Sequence, residues 1–413
     1  MKTTVVYFSS CGLDGEGKPD PFFLQELPWL LSHFDRVVLC SYYGVADVTE
    51  PRPERISVQR PALGELRAKL SAPFSPLFWQ ELKHLYREGR LTPVNAAKLL
   101  LFTYRGRMLA NWVCAVLRPE ETATLYSFWM SYDGFAAALC KKRRPALRAI
   151  ARAHHFDINR EANPMNPYLM KTFIGEQLDA IYPISRDAVE HLTACASIPA
   201  QKLHVIALGS KGDEARERFP APFYQDGVLR IVSCAAVIER KQIPVLIDAL
   251  ALWRGGRVRW MHIGGGPDEK TVRAYAAQKL GEMHNIEFEI TGRVDQEQVQ
   301  HYYAVQPFDV FVNTSRSEGV PVSIMEAMHA GVLVVAPRIN GIPEMVDERF
   351  GWLYPPEGGA SAVLATLEAV AALPRETAET MRAASQARWN EYCRSEKLLE
   401  TLFPNAAKGG NRA

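Results

Sequence analysis

A chain of 413 residues, 47% of them hydrophobic, is longer than one ordinary domain and apolar enough to fill two cores. The net charge is only +2, though unevenly distributed, and no nucleic acid partner is expected. The seven cysteines are odd in number and scattered, with no CxxC, which excludes a disulfide framework and a zinc site as readings. Met1-Lys2-Thr3-Thr4 leads straight into Val5-Val6-Tyr7-Phe8, which reads as a first strand rather than a leader. No apolar run approaches the roughly 18 residues of a membrane span. A cytoplasmic enzyme is the expectation.

In chain order, strands are predicted at 4–8, 36–40, 124–128 and 180–184. A helix is predicted over 22–34, with Phe23, Leu27, Leu30, Leu31 and Phe34 on one side and Pro28 expected to kink or split it. Residues from about 67 to 117 read as mostly helical, an inserted layer. From Arg60 to Arg160 there are 17 Lys+Arg against 7 Asp+Glu, a net of +10. The densest part is Lys141-Lys142-Arg143-Arg144, with Arg148 and Arg152 behind it. That surface suits anionic lipid headgroups or a diphosphate-bearing acceptor; the alternative is a solvated basic face. Residues 208–227 hold Gly209, Gly212, Pro220, Pro222 and Gly227 and read as an interdomain linker. The pattern then restarts, with strands predicted at 229–234, 257–263, 286–290, 310–313 and 332–336. Alternating strands and helices in both halves predict two doubly wound α/β domains, at 1–208 and 228–384, with 209–227 between them.

The most informative string is Ser315-Arg316-Ser317-Glu318-Gly319-Val320-Pro321-Val322-Ser323-Ile324-Met325-Glu326-Ala327. Val310-Phe311-Val312 precedes it and a helix-like run follows, so it occupies a strand-to-helix turn. Gly319 lets backbone approach a ligand, and Pro321 stiffens the turn and helps start the helix. Unpaired amides at that helix start favour phosphate oxygens. Glu318 and Glu326 are acceptors for vicinal hydroxyls. A sugar attached to a nucleoside diphosphate carries both kinds of group. The bland alternative is that Ser323 to Glu326, which has capping-box spacing, only satisfies the helix N-terminus.

A second constellation, Arg240-Lys241, follows the predicted strand at 229–234 and precedes an apolar helix. Two cations there suit a departing diphosphate. The alternative, a solvated pair, is weakened because cations are unfavourable at a helix start. Ile263-Gly264-Gly265-Gly266-Pro267 follows the next strand and reads as a ligand-lining turn or a tight connection. Gly12, Gly15 and Gly17 after the first strand carry the same two readings. His154, after Ile150-Ala151, is either structural or a hydrogen-bonding partner for a sugar hydroxyl.

Glu318-Gly319-Val320-Pro321-Val322, Glu326-Ala327-Met328 and Asn340-Gly341-Ile342-Pro343-Glu344 together resemble the signature of the retaining glycosyltransferases of family 4, as found in bacterial polysaccharide synthesis. The likeness covers nearly the whole chain, strongly from about 228 to 346 and diffusely over 60–118. It implies the GT-B fold, two Rossmann-like domains facing across a cleft. It further implies transfer of a hexose from a UDP- or GDP-sugar to a hydroxyl of a glycan acceptor, expected to be lipid-linked.

Under this resemblance Glu318 contacts the donor sugar near the reacting centre, and Glu326 binds ribose hydroxyls. Backbone from Gly319 through Val320 and Pro321 to Val322 holds sugar and phosphate. Lys241 meets the leaving diphosphate. Gly265 and Gly266 line the nucleotide, Arg293 lies near the base, Gly15 approaches donor phosphates or acceptor, and His154 matches a cleft histidine. One departure is clear: the family's Gly-Arg pair is Ala235-Ala236 here, leaving Arg240 as the candidate substitute. No Asp-x-Asp motif occurs in the cleft-forming segments, so neither a metal nor another cofactor is expected. A last helix, about 385–403, would return to the first domain. Two rival readings keep the fold: a nucleotide-sugar epimerase or hydrolase, and a non-catalytic sugar-nucleotide-binding partner of a transferase. The expected placement of Glu326 on a ribose argues against the first. Intact Glu318, Glu326 and Lys241 argue against the second.

Overall fold

The computed structural model describes residues 3–9, 20–49, 56–158, 168–210, 212, 222–404 and 406. The chain forms two compact units, Met1–Ile206 with Glu396–Ala413, and Ala207–Ser395.

The first unit is built on a six-stranded sheet of β1 (Thr4–Ser9), β2 (Arg36–Ser41), β3 (Gly44–Asp47), β4 (Ala123–Ser127), β5 (Arg148–Ala153) and β6 (Ala180–Pro183). Their spatial order is β3-β2-β1-β4-β5-β6, parallel except for the β2–β3 pair. Val5-Val6-Tyr7-Phe8 is wholly buried, as a strand covered on both faces must be. The helix Pro21–His33 is one element despite Pro28, contrary to a split. Burial of Phe23, Leu27 and Leu30 and the Asp20 cap on Phe22 N–H outweigh the lost hydrogen bond. The helical layer comprises Ala62–Ser71, Pro76–Arg87 and Pro93–Val116. The last of these lies against Tyr132–Arg143, and at Gly106 a Cβ would stand 2.3 Å from the Phe135 ring.

The second unit repeats the plan with β7 (Val228–Cys234), β8 (Arg257–Ile263), β9 (Ile286–Ile290), β10 (Val310–Val312), β11 (Leu333–Pro337) and β12 (Gly351–Tyr354). All pairs are parallel, in the order β12-β11-β10-β7-β8-β9. In each sheet the order reverses beside the first strand, between β1 and β4 and between β7 and β10. Loops leaving the carboxyl ends there diverge, and open α/β sheets bind ligands at that point.

Four expectations change. Ser210 belongs with the second unit, since its N–H donates to Cys393 O and its hydroxyl accepts from Trp389 Nε1 at 2.7 Å. The C-terminal helix is two helices. Arg375–Tyr392 stays on the second unit, with Arg382 and Ser385 bonded to the carbonyls of Gly331 and Val332. Only the segment from Glu396 joins the first unit, where Phe403 packs against Trp29, Phe34 and Tyr126. Finally, Arg152 is no part of a basic surface: it lies buried on β5 with Glu26 3.3 Å away.

Candidate functional site

The site of the second unit lies at its switch point. The 3-10 turn Glu239–Lys241 follows β7, and residues 313–321 follow β10. Backbone and side chains tie the two loops together. Arg316 N–H donates to Arg240 O at 2.9 Å, and Thr314 Oγ1 to Lys241 O at 2.9 Å. The Asn313 carboxamide holds Ser315 N–H at 2.9 Å, while Tyr354 OH anchors Asn313 O at 3.0 Å. A small cleft between them is lined by Cys234, Ala235, Lys241, Asn313, Thr314 and Ser315, among others.

Glu318 is buried, and its carboxylate takes the Lys241 ammonium in a direct ion pair. Arg240 approaches its second oxygen at 3.7 Å and donates to Ser317 O at 2.6 Å. Two cations therefore converge on one carboxylate, leaving local positive charge for an anion. The turn enters the helix Val322–His329 through Pro321, and no side chain caps that N-terminus. Its first amides are open to a ligand.

The capping-box reading of Glu326 fails. Ser323 lies inside the helix rather than at its cap, and Glu326 instead accepts from Gln296 Nε2, at the head of the helix Gln296–Val305. Dry surroundings push the half-buried Glu326 carboxyl up to about 7, opposed by the Gln296 bond. Burial also raises the Cys234 thiol, with Glu326 raising and Lys241 lowering it further. Both charged groups are thus within electrostatic reach of one sulfur at the end of β7.

The glycine turn after β8 is a crossing point of backbone. Gly264 has φ +137°, and a Cβ there would stand 2.1 Å from Ala235 O. Side chains on Gly265 and Gly266 would meet Arg293 N at 2.6 Å and Val237 O at 2.4 Å. These glycines shape the β7 loop by letting three loops touch. Behind them Trp260 Nε1 donates to Ser233 Oγ at 2.9 Å, Ser233 contacts His262 Nδ1 at 2.9 Å, and His262 Nε2 reaches Ala235 O at 3.2 Å. Since a carbonyl only accepts, His262 Nε2 carries the proton and Nδ1 accepts from Ser233. Burial lowers this imidazole to about 4, so it stays neutral. Gly264→Ala is expected to lower the melting midpoint by several degrees and to weaken nucleotide binding, measured by calorimetry with and without UDP. Arg293 is exposed and has no ion-pair partner among the described residues.

In the first unit His154 follows β5 and is buried against the rings of Phe128 and Trp129 at 4.8 and 4.5 Å. Burial lowers its pKa, against Asp157. Among the described residues neither ring nitrogen has a hydrogen-bond partner, and Nδ1 stands 3.9 Å from Asp157 Oδ2. Asp157 fastens the neighbouring turns, accepting from Met130 N at 2.6 Å and His154 N at 2.9 Å. Gly15, with Gly12 and Gly17, lies outside the described residues. Sequence reading did not find Thr314, Asn313, Gln296 or His262. The contacts of Thr314, Gln296 and His262 span about 30 to 70 positions and leave no local signature, while the Asn313 side chain holds Ser315 two positions on. Among the described residues no three His, Cys, Asp or Glu side chains gather as a metal site.

The fold is that of the GT-B glycosyltransferases. Residues 229–372 match the family of glycosyl transferases group 1. The chain is 28% identical over 304 residues to the amylovoran biosynthesis glycosyltransferase AmsK of Erwinia amylovora, covering 70% of this chain and 72% of that protein. In fold it is similar to Anabaena Alr3699/HepE in complex with UDP, with a TM-score of 0.63 at 15% identity over 99% of this chain and 100% of that one. It is also similar to the apo lipopolysaccharide outer core galactosyltransferase WaaB, with a TM-score of 0.64 at 15% identity over 99% of each chain. The fold is GT-B, two parallel-sheet α/β units.

Proposed function

We propose that this glycosyltransferase is a retaining, metal-independent member of family 4, moving a hexose from a UDP- or GDP-sugar to a hydroxyl of a lipid-linked glycan in cell-surface polysaccharide synthesis. The observation that carries the reading is the Glu318–Lys241–Arg240 cluster beside an uncapped helix start at the switch point. The names of AmsK, an amylovoran biosynthesis enzyme, and of the HepE complex with UDP support the acceptor and donor classes.

In this reading Lys241 neutralises charge developing on the β-phosphate, with the free amides of the 319–322 turn. Arg240 supplies the cation that Ala236 lacks, since its guanidinium lies on the same carboxylate as Lys241. Glu318 orients Lys241 and accepts from a donor-sugar hydroxyl. Glu326 accepts from the ribose hydroxyls, and Gln296 aims it. Arg293 stands near the base, and Gly265 and Gly266 set the loop that borders the nucleotide. Neutral His154 hydrogen-bonds a sugar hydroxyl. The leaving phosphate takes the acceptor proton on the face it leaves, giving retention. No divalent ion enters the scheme, so transfer is expected to persist in EDTA. The first unit's basic face would bring the enzyme to the anionic cytoplasmic leaflet, where a lipid-linked acceptor resides.

A thermal-shift panel of UDP, GDP and their sugars tests the donor. A ligand at 100 times its Kd raises stability by about 2.7 kcal/mol, and no shift with any of them would sink the reading. A labelled UDP-sugar separates the rivals, since an epimerase or hydrolase turns over without acceptor. The Glu326 carboxyl, pushed up to about 7, gains charge between pH 6 and 8 and with it acceptor strength. UDP affinity is therefore expected to rise over that range, and Glu326→Gln to flatten the dependence. An unchanged slope in that variant would remove Glu326 from the nucleotide.

A further inference from the structure

The basic run singled out from sequence is largely tied down by internal contacts, although Lys142 and Arg143 stay exposed. Lys141 bonds Leu147 O and pairs with Asp179 at 2.9 Å. Lys142 lies over the Phe173 ring, Arg143 bonds Asn111, and Arg144 bonds Pro119 O and Glu121 O. Arg148 bonds Leu402 O, and Arg152 is buried. A second group of exposed bases lies elsewhere, among an unusual set of apolar side chains.

Of the fourteen large hydrophobic residues exposed among the described residues, nine fall between positions 66 and 101. They concentrate where the helices Ala62–Ser71 and Pro76–Arg87 meet. Leu66 and Leu70 are four apart and share one outward face, while Ala68 and Ala72 face the core. Phe74, 83% exposed, sits in the connecting turn, and Trp79, 58% exposed, donates its indole N–H to Pro73 O of that turn at 2.8 Å. Trp79, Lys83, Tyr86 and Arg87 form a stripe at helical spacing, with Phe78 and Leu85 buried behind it. Arg67, Lys83 and Arg87 are exposed, with no ion-pair partner among the described residues. The segment 66–87 carries one carboxylate, Glu81, and it accepts from Met170 N–H at 2.8 Å.

We infer that this corner docks on an anionic phospholipid bilayer, with Leu66, Leu70, Phe74 and Trp79 entering the headgroup–acyl boundary and Arg67, Lys83 and Arg87 on the headgroups. Aromatic and aliphatic tips interleaved with bases match the chemistry of that boundary, and the acids that flank them are paired, Glu65 with Lys69 at 3.0 Å and Glu88 with Arg90. A second copy fits poorly: a two-fold contact would set these same bases against each other. The surface deepens the membrane contact proposed for the first unit, and its test needs neither donor nor acceptor, so its failure leaves glycosyl transfer standing.

The protein is co-sedimented with vesicles of phosphatidylcholine alone and with vesicles that also carry about 30 mol% phosphatidylglycerol, enough to give a negative surface potential. Binding is expected only with the anionic lipid, falling steeply between 0.05 and 0.5 M salt, about the range over which screening becomes strong. Phe74→Ser with Leu70→Ser, both at exposed positions, is expected to lower partitioning at least about tenfold, and Lys83→Glu at least about fivefold. Melting midpoints near the parent's and unchanged UDP thermal shifts would show that these variants fold. Equal binding to neutral vesicles, no binding, or variants that bind as well as the parent would each overturn the inference. So would a dimer that Phe74→Ser dissolves in a protein that ignores vesicles, or a preference for an acidic polypeptide over anionic lipid.

Discussion

Lys241→Met is expected to lower the turnover of glycosyl transfer roughly 10²–10³-fold, about 3–4 kcal/mol of lost transition-state stabilisation. The reason is geometric. Lys241 is mostly buried, its backbone is fixed by Thr314, and its ammonium is held by Glu318, so it is aimed before any ligand arrives. A cation already oriented costs no reorganisation when charge builds on a leaving diphosphate. Because that charge grows during the reaction, the loss should fall on kcat more than on KM for the donor. Arg240, half-exposed and 3.7 Å from the same carboxylate, should matter less, about tenfold in the methionine variant.

The competing account is that Lys241 and Glu318 are only a structural ion pair, and a double-variant cycle separates the two. Removing one partner strands a charge and lowers the melting midpoint, and removing both relieves this. Glu318→Gln with Lys241→Met should therefore recover stability over Lys241→Met alone, yet remain inactive. Nucleotide release in the presence of extracted lipid-linked glycan is the readout. A double variant that recovers turnover along with stability, or a Lys241→Met enzyme above a tenth of parental turnover, would reduce the pair to scaffolding.

The residues gathered at the switch point could be picked out locally because they are nearly contiguous in the chain. Glu318, Gly319, Pro321 and Glu326 lie within one turn and one helix, and Arg240-Lys241 directly precede another. Strands such as Arg257–Ile263 and Ile286–Ile290 declared themselves by apolar runs or alternation. The failures have one physical form, a tertiary contact reversing a local signal. β5 reads Arg-Ala-Ile-Ala-Arg-Ala, poor in β-branched residues and bracketed by bases, so it resembled a charged surface. β3 and β12 are four residues each and begin on Gly44 and Gly351, a residue type depleted in strands. The Ser323–Glu326 spacing promised a cap, but Pro321 holds the N-cap position and the helix starts at Val322, so Ser323 is already inside it. Gln296 turned Glu326 elsewhere across 30 positions of chain.

Arg152 is the sharpest such reversal, and its replacement should have the largest effect on stability. Its guanidinium is buried, bonds Glu26 Oε1 at 3.3 Å and stands over the Phe128 ring at 5.5 Å. Glu26 also accepts from Tyr126 OH at 3.3 Å. Burial pushes the Glu26 carboxyl up to about 7 from an ordinary 4.5, with Arg152 opposing the rise. A carboxyl raised in the folded state binds its proton more tightly there than in the unfolded chain. Its stabilising contribution is thus complete below about 4.5 and is lost as pH climbs through 7.

Arg152→Leu removes the opposing cation and raises that carboxyl further. At pH 8, where the parent keeps the pair ionised, the variant must bury a lone carboxylate or hold a proton against the solution. A loss of about 3–5 kcal/mol is expected there. At pH 5.5 Glu26 is largely neutral in both proteins, so the deficit should shrink to the packing and cation–π part, about 1–2 kcal/mol. Glu26→Leu added to Arg152→Leu should restore most of the pH 8 loss, because no charge is left behind. Urea unfolding at the two pH values measures all three. A deficit that stays level between pH 5.5 and 8 would mean that Arg152 acts through volume alone and that Glu26 does not depend on its charge.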